Sequence, residues 1–354
     1  MKNLKKYEAL FGENMDGILL TSKTNRMYAA EFDVDEGVML LTAKKSYFFT
    51  DSRYIEVAEK HLTDFDVQMV SIDHGYISLI NNAIVDCGVT MLGFEEDYLT
   101  VAEFHNYEEK LHAELTPCQK AVNAFRVQKE PWEIDRMVKA QKITDRAFTE
   151  VLTRIREGMT EKELAAELIY CLYKNGGEGL SFAPIVVSGP NTSMPHGVPG
   201  DRKLQKGDFI TMDFGVLYQG YCSDMTRTVA LGYATDEMKK VYDTVLQAQL
   251  AGIAASRAGV RGCDVDAVAR KVISDAGYGE YFGHSYGHSL GIEIHEWPFC
   301  SPSCDAKMPV NDLCSAEPGI YLPGKFGVRI EDVVVFEQDG CRDITKSPKN
   351  LIIL

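Results

Sequence analysis

The sequence has no apolar run near the ~20 residues that a membrane helix needs, which excludes a membrane-spanning class. Its basic start has no apolar segment behind it, so we expect no signal peptide and a cytoplasmic protein. Basic residues are in deficit: 37 Lys and Arg against 52 Asp and Glu give a net charge of −15, which disfavours nucleic acids and anionic membranes as partners. The nine scattered cysteines include no CxxC pair, which indicates reduced thiols rather than a disulfide framework.

The composition predicts a globular chain of two domains. Apolar residues make up 45% and charged residues 25%, a balance that excludes disordered and fibrous classes. Single cores stop growing near ~250–300 residues, so a chain of 354 residues suggests two domains. Residues 1–122 alternate short apolar runs with helical patterns, which predicts an α/β domain. Its strands are expected at 17–20, 38–41, 47–50 and 65–70, and its helices at 55–61, 77–87 and 101–112.

Prolines mark the boundary to a second domain, residues 123–354, where the pattern changes. Pro131 suits the first turn of a helix, and Thr160 with Glu163 forms the capping-box pattern of the next one. A second pair of helices follows, the first of them over 236–257, and each pair precedes strands and a glycine-containing hairpin. This repetition predicts an internal duplication in an α+β domain.

The first predicted hairpin places two acids opposite one another. Opposed residues of a hairpin have a constant index sum, and Asp213 and Asp224 sum to 437, which puts the turn between Tyr218 and Gln219. Like charges at ~4.5–5.5 Å repel each other, so such a pair on apolar strands requires protons or a cation. A solvated hairpin face is the alternative for a single pair.

The second predicted hairpin repeats this arrangement. Glu317 and Glu331 sum to 648, which centres the turn on Gly324. Two acid pairs, each beside apolar strands, favour a metal site over two solvated faces.

Four histidines accompany the acids in the sequence. His284 and His288 lie in a run too rich in glycine for a helix, so we interpret it as a close-packed loop or strand edge. His295 follows this run, and His196 lies in the loop before the first hairpin. A structural role is the simpler interpretation for each one alone, but four of them near two acid pairs favour a shared site.

These stretches together resemble the pita-bread metallopeptidases, in particular the Xaa-Pro branch with aminopeptidase P and prolidase. The N-terminal domain is similar to the creatinase/prolidase N-terminal domain. The resemblance implies a C-terminal pita-bread domain with an internal pseudo-twofold repeat, a smaller α/β domain before it, and a homodimer. The stretches that carry it are 49–54, 213–215, 223–228, 287–291, 294–296, 317–321 and 327–332.

The resemblance implies a role for each candidate site residue. The implied metal ligands are Asp213, Asp224, His288, Glu317 and Glu331. The implied catalytic residues are His196, His295 and Glu317. Three more residues match positions that line the substrate pocket of Xaa-Pro enzymes, and they are His284, Tyr321 and Arg329.

Such an oxygen-rich site suits two divalent ions, with Mn²⁺ expected and Co²⁺ or Zn²⁺ as alternatives. We expect a metal-bridging hydroxide to attack the carbonyl before proline, with Glu317 as proton shuttle. His295 is expected to stabilise the oxyanion, and His196 to position or protonate the leaving nitrogen. The predicted activity is that of an Xaa-Pro aminopeptidase, whose substrate is a peptide with proline at the second position.

Several alternatives remain open at this point. A prolidase shares the chemistry but requires a dipeptide, and Arg329 bears on the choice because it either binds a substrate carboxylate or supports Glu331. Methionyl aminopeptidase shares the metal ligands but not the N-terminal domain. A non-catalytic binding protein with the same fold is the alternative from another class.

Overall fold

The computed structural model describes residues 3–12 and 14–354. The chain divides into two compact units, Met1–Arg126 and Val127–Leu354. Among the described residues, none of the helices combines the length and the apolar character that a membrane span requires.

The N-terminal unit is built on one six-stranded sheet. Its elements are α1 Leu4–Tyr7, β1 Gly17–Leu20, α2 Lys23–Ala30, β2 Val38–Thr42, β3 Ser46–Thr50, α3 Ile55–His61, β4 Phe65–Met69, α4 Tyr76–Cys87, β5 Met91–Phe94, α5 Val101–Lys110, β6 Glu114–Pro117 and α6 Gln119–Val127. The strand order is β4-β3-β2-β1-β5-β6, with β2 antiparallel to both neighbours and the other pairs parallel. The predicted α/β domain is therefore confirmed.

The strands and helices predicted for this unit are confirmed, with ends that shift by at most two residues. Every residue of β1 and β2 is buried, which explains why both read as continuous apolar runs rather than as alternating patterns. The prediction missed three helices, α1, α2 and α6, and two strands, β5 and β6. The two strands have four residues each, which is too short for a clear period.

The C-terminal unit contains two helix pairs, each followed by antiparallel strands. Its elements are α7 Pro131–Leu152, α8 Glu161–Lys174, β7 Gly179–Leu180, β8 Ile185–Ser188, β9 Phe209–Phe214, β10 Val216–Tyr218, β11 Tyr221–Cys222, β12 Met225–Ala230, α9 Asp236–Ala255, α10 Gly262–Asp275, β13 Gly287–Ser289, β14 Glu296–Cys300, β15 Leu313–Ala316, β16 Gly319–Leu322, β17 Phe326–Arg329, β18 Asp332–Glu337 and β19 Gly340–Asp343. The pair α7 and α8 precedes the sheet β12-β9-β8, and the pair α9 and α10 precedes the sheet β14-β13-β15-β18-β19. The repeated order of elements agrees with the predicted duplication.

The starts of the first helix pair follow the predicted chemistry. Pro131 occupies the first turn of α7. The capping box of α8 is formed by a bond from the Glu163 N–H to Thr160 Oγ1 at 3.1 Å and one from the Thr160 N–H to Glu163 Oε2 at 2.7 Å. Helix α8 ends before Gly176, whose φ of +102° is one that glycine tolerates.

Each helix pair packs on its own sheet. One core joins α7 and α8 to β8, β9 and β12, and the rings of Phe148 and Phe214 stack in it at 6.4 Å. A second core joins α9 and α10 to strands of the five-stranded sheet and of the second hairpin. Because the helices cover one face of β9 and β12, the opposite face of these strands is free to carry polar groups.

Candidate metal centre

The first acid hairpin does not have the predicted register. Asp213 on β9 lies opposite Thr226 on β12 rather than opposite Asp224, so the index sum is 439 instead of 437. The turn is Gln219-Gly220, with φ of +48° and +78°. Positive φ at both central residues is typical of the two-residue turn that matches strand twist, and glycine tolerates it best. The glycine therefore moves the turn one position beyond the predicted one.

This correction leaves both acids on the same face of the hairpin. Side chains alternate along a strand with period two, so a change of two in the index sum preserves the face. Met212 and Met225 point into the core beneath α7 and α8, whereas Asp213 and Asp224 line the cavity on the other side. The two carboxylates are diagonal rather than direct neighbours, a relation that spans ~7–8 Å in a regular ladder.

The second acid hairpin has the predicted register. The index sum of 648 holds in the ladder of β16 and β17, where Gly319 pairs with Arg329, and in the ladder of β15 and β18, where Ala316 pairs with Asp332. Glu317 and Glu331 lie between these ladders and therefore face one another.

His288 lies on β13, in the interior of the five-stranded sheet. The prediction that its glycine-rich run is not helical is confirmed, and residues 283–286 form the predicted loop. For residues 287–289 the prediction of a loop or strand edge is wrong, since β13 lies between β14 and β15. A Cβ added to Gly287 would lie 2.0 Å from the carbonyl oxygen of Ser315. The glycine is therefore required by close approach of a neighbouring backbone, not by an end of the sheet.

One cavity of about 530 Å³ collects the candidate residues. The candidates on its wall are His196, Asp213, Asp224, His284, His288, His295, Glu317, Arg329 and Glu331. Tyr321 does not line this cavity, but its hydroxyl contacts His284 and Arg329 on the wall. Apolar side chains cover the remaining wall, among them Phe182, Ile294 and Phe299.

Three of the five candidate ligands form a compact donor set. One donor atom each of Asp224, His288 and Glu331 lies within 4.8 Å of the other two. Nδ1 of His288 lies 3.2 Å from the carbonyl oxygen of Ser289, which accepts only, so Nδ1 carries the proton and Nε2 is left as a donor to a metal. Nε2 lies 3.3 Å from Glu317 and 3.6 Å from Asp224, which brings a fourth ligand candidate to the set.

Two buried carboxylate oxygens in the cavity also favour a bound cation. Oδ1 of Asp213 and Oδ1 of Asp224 are buried and have no hydrogen-bond partner among the residues that the structure describes. An unpartnered buried carboxylate oxygen is costly unless a cation binds it. Four carboxylates and one imidazole are ligands that suit hard divalent ions, so the residues present fit such ions.

The electrostatics of the site show the crowding of its acids. Burial, and after it the neighbouring carboxylates, raises the pKa of Asp224 and Glu331 well above the usual range. Burial also raises the pKa of Asp213, although Arg329 opposes it. Glu317 and His288 behave as a pair: their contact overrides the effect of burial, lowers the pKa of Glu317 to about 2 and raises that of His288 to about 9.

This crowding predicts a pH-dependent effect of metal on stability. An acid with a raised pKa in the folded state destabilises the fold as it ionises, and the contribution of His288 is lost as the pH rises from 6.5 to about 9. We therefore expect the melting temperature in EDTA to fall between pH 7 and pH 9, and Mn²⁺ to restore it. At a Mn²⁺ concentration of a thousand times Kd, binding raises the free energy of unfolding by ~4 kcal/mol. Equal melting temperatures with and without Mn²⁺ at pH 8.5 would contradict the assignment of the site.

The guanidinium of Arg329 is bound inside the protein. Nη2 donates to Asp213 Oδ2 at 2.6 Å, and Nε donates to Thr226 Oγ1 at 3.0 Å. Nη1 donates to the Tyr321 hydroxyl at 2.9 Å and to the Pro195 carbonyl at 3.2 Å. The side chain is 4% exposed. Arg329 therefore orients a candidate ligand and the loop before His196 in one network.

His284 and Tyr321 extend this network. Nδ1 of His284 donates to the Ser285 carbonyl at 2.8 Å, so Nε2 accepts from the Tyr321 hydroxyl at 2.8 Å. Burial lowers the pKa of His284, which favours this neutral form. The other two histidines, His196 and His295, face the cavity from loops. The ring of His295 lies 4.3 Å from that of His288. Burial, and after it the charge of His288, lowers the pKa of His295.

Three residues that hold the candidate ligands were not predicted from the sequence. Thr226 donates to Glu331 Oε2 at 2.6 Å, Ser315 donates to Glu317 Oε1 at 3.1 Å, and Gln141 accepts from the Asp224 N–H at 3.4 Å. Thr226 could have been found from the correct register, because it lies opposite Asp213. Gln141 lies on α7, far from the hairpins in sequence, and no local pattern points to it.

The fold and the site define a two-domain protein whose C-terminal unit repeats a helix pair followed by strands and contains a carboxylate–histidine cluster that fits divalent metal. The model of metallopeptidase family M24 matches residues 135–338, and that of the creatinase/prolidase N-terminal domain matches residues 5–128. The uncharacterized peptidase YqhT of Bacillus subtilis is 41% identical, over 99% of both chains.

Two solved structures have the same two-domain architecture. An Xaa-Pro dipeptidase from Bacillus anthracis has a TM-score of 0.95 and 41% identity, and it covers 100% of this chain and 99% of its own. An X-Pro aminopeptidase from Thermotoga maritima has a TM-score of 0.93 and 36% identity, with 99% and 100% covered. The chain belongs to metallopeptidase family M24, and it is a hydrolase that uses divalent metal ions.

Proposed function

We propose that this protein is an Xaa-Pro exopeptidase, which hydrolyses the bond before a proline at the second position of a peptide. The observation that carries the proposal is the single cavity that holds all five candidate ligands together with His196 and His295. The names of the two solved structures, a dipeptidase and an aminopeptidase for Xaa-Pro bonds, support the same substrate class.

The ligands of the proposed centre are Asp213, Asp224, His288, Glu317 and Glu331. When bound there, two divalent ions, for which we propose Mn²⁺, supply Lewis-acid activation of water and of the scissile carbonyl. Glu317 accepts the proton of the attacking water and passes it towards the leaving nitrogen. His295 donates to the developing oxyanion, and His196 positions or protonates the leaving nitrogen.

The chemistry of proline accounts for the rest of the cavity. An Xaa-Pro bond is a tertiary amide without an N–H, so a site that requires this donor cannot recognise it. Here Phe182, Ile294 and Phe299 offer an apolar wall for a rigid ring beside the carboxylates. We assign His284, Tyr321 and Arg329 to the support of this substrate pocket.

The contacts of Arg329 favour an aminopeptidase over a dipeptidase. A dipeptide places its terminal carboxylate next to the cleaved bond, so a dipeptidase gains from a free cation there. The guanidinium of Arg329 is already bound to Asp213, Thr226, Tyr321 and the Pro195 carbonyl. This favours an open product side that accepts longer peptides. The second candidate, an Xaa-Pro dipeptidase, is favoured by the name of the structure from Bacillus anthracis.

A substrate panel with the Mn²⁺-loaded protein separates these candidates. We expect hydrolysis of Ala-Pro-Ala as well as of Ala-Pro, and none of the control peptide Ala-Ala-Ala, all followed by chromatography of the products. Hydrolysis of Ala-Pro alone would identify a dipeptidase. If neither proline peptide is cleaved, the proposed function is wrong.

Two further features belong to this proposal. We propose a homodimer, which sedimentation of the purified chain tests, and a cytoplasmic location, which cell fractionation tests. A monomer at micromolar concentration would contradict the first proposal.

A further inference from the structure

The loop that carries His196 is tied at both ends to one buried carboxylate. This loop, residues 188–200, connects the end of β8 to the segment before β9 and is called the His196 loop below. Oε1 of Glu161 accepts from the Ser188 N–H at 2.7 Å, from the Ser188 hydroxyl at 2.8 Å and from Asn191 Nδ2 at 3.0 Å. Oε2 accepts from the Gly200 N–H at 2.9 Å. One side chain therefore holds the first and last residues of the loop.

Glu161 is itself held rigidly. It is the first residue of α8 and is 0% exposed. Its N–H donates to the Arg202 carbonyl at 3.1 Å, and the next N–H, that of Lys162, donates to the Gly200 carbonyl at 3.2 Å. The end of the loop is thus bound to the helix by backbone and side chain together.

The middle of the loop is bound to the site. The Pro195 carbonyl accepts from Arg329 Nη1 at 3.2 Å, and Thr192 Oγ1 accepts from the Gly327 N–H at 2.8 Å. Among the described residues, the exposed imidazole of His196 has no hydrogen-bond partner of its own. Its place over the cavity therefore depends on the backbone of the loop and on the anchors of that backbone.

We propose that Glu161 is a positioning residue of the active site, which fixes the His196 loop at both ends and so sets where His196 meets the substrate. The inference rests on the proposed function, in which His196 acts at the leaving nitrogen. A displacement of about 1 Å costs up to about 100-fold in rate in such sites. Glu161 touches no substrate in this scheme and acts only through His196.

Hydrogen–deuterium exchange tests the anchor without any substrate. In Glu161→Ala we expect faster exchange of the amides of the His196 loop, because the Ser188 and Gly200 N–H groups lose their acceptor. The matched control is Glu163→Ala, two residues along the same helix turn. It removes the capping box but no contact of the loop. Unchanged exchange in Glu161→Ala, or equal acceleration in both variants, would overturn the anchor.

A double-mutant cycle tests the role in catalysis with the Mn²⁺-loaded protein. We expect Glu161→Ala to lower kcat by about 10- to 100-fold with KM nearly unchanged, and Glu163→Ala to leave kcat nearly unchanged. The variant with both Glu161→Ala and His196→Ala is expected to be no slower than His196→Ala alone, because Glu161 acts through this histidine. If the double variant instead loses kcat by the product of the two single losses, the proposal is wrong.

A more conservative variant, and a comparison with the activity of the wild type, distinguish a failure of the anchor from unfolding and from a wrong proposed function. Should Glu161→Ala unfold, Glu161→Gln replaces it, since the amide oxygen can still accept from Ser188 while its NH₂ group cannot accept from Gly200. We expect an intermediate loss of kcat and faster exchange near Gly200, and wild-type behaviour in both would overturn the proposal. If wild type cleaves no proline peptide but the loop still loosens in Glu161→Ala, the proposed function fails and the anchor stands.

Discussion

Asp224→Asn is expected to abolish metal loading and peptidase activity together. A donor oxygen of Asp224 lies within 4.8 Å of donor atoms of both His288 and Glu331, so this carboxylate joins both halves of the donor set. The amide keeps the shape but removes the charge, and one of its two positions presents N–H groups that cannot bind a cation. Metal activation is worth several kcal/mol, so we expect a loss of about a thousandfold or more in kcat/KM.

The measurement combines metal content after dialysis with turnover of Ala-Pro. A suitable control is Asp305→Asn, because the Asp305 side chain is 85% exposed and lies outside the cavity. This control should retain wild-type metal content and activity. Full activity in Asp224→Asn would show that the ligand assignment is wrong, whatever the outcome for the substrate.

Lys129→Met is expected to cause a large loss in the free energy of unfolding. The ammonium of Lys129 lies 2.9 Å from Asp312 Oδ1 and 3.2 Å from Glu296 Oε2, and its side chain is 1% exposed. Burial raises the pKa of Asp312 to about 6 even beside this cation. Methionine fills the space but leaves buried carboxylates without the ammonium, which costs about 3–5 kcal/mol.

The buried cluster of Lys129, Asp312 and Glu296 lies next to the candidate ligand His288. Asp312 Oδ2 accepts from the hydroxyl of Ser289 at 2.5 Å, and Ser289 follows His288 on β13. Glu296 begins β14 immediately after His295 and accepts from the Ile292 N–H at 3.2 Å. Lys129→Met is therefore expected to weaken metal binding as well as folding.

Urea unfolding monitored by fluorescence measures the change in free energy. Lys162→Met is the matched control, because Lys162 forms an ion pair with Asp201 in which the side chains are 60% and 85% exposed. Such exposed pairs contribute at most about 1 kcal/mol. If both variants lose the same free energy of unfolding, the buried cluster does not have the stabilising role assigned to it.

Much of the fold could be predicted because its signals are local. The buried strands β1 and β2 read as apolar runs, and the start of α8 carries its capping box within four residues. The strands β5 and β6 could not be found, since their four residues show no period and their place in the sheet depends on the pairing of β5 with β1 and of β6 with β5.

The predicted residues of the site lie together, but their arrangement differs in part. The pairing of Glu317 with Glu331 was correct because the turn at Gly324 fixes the register of that hairpin. The pairing of Asp213 with Asp224 was wrong because the Gln219-Gly220 turn shifts the register, yet the face was preserved by the period of two. The run around His288 was predicted to be a loop or strand edge because nothing local shows that Gly287 meets a neighbouring backbone.

The sequence by itself determined which residue types are present for the chemistry and on which face of each hairpin they lie, since alternation along a strand is a local property. Only the tertiary structure decided what holds those residues in place. Gln141 contacts Asp224 directly, whereas Glu161 holds the His196 loop and Lys129 binds Asp312, and all three lie far from these partners in sequence. Arg329 binds partners on three separate segments. Such contacts depend on how the helices and sheets pack, which no pattern within a short window of sequence encodes.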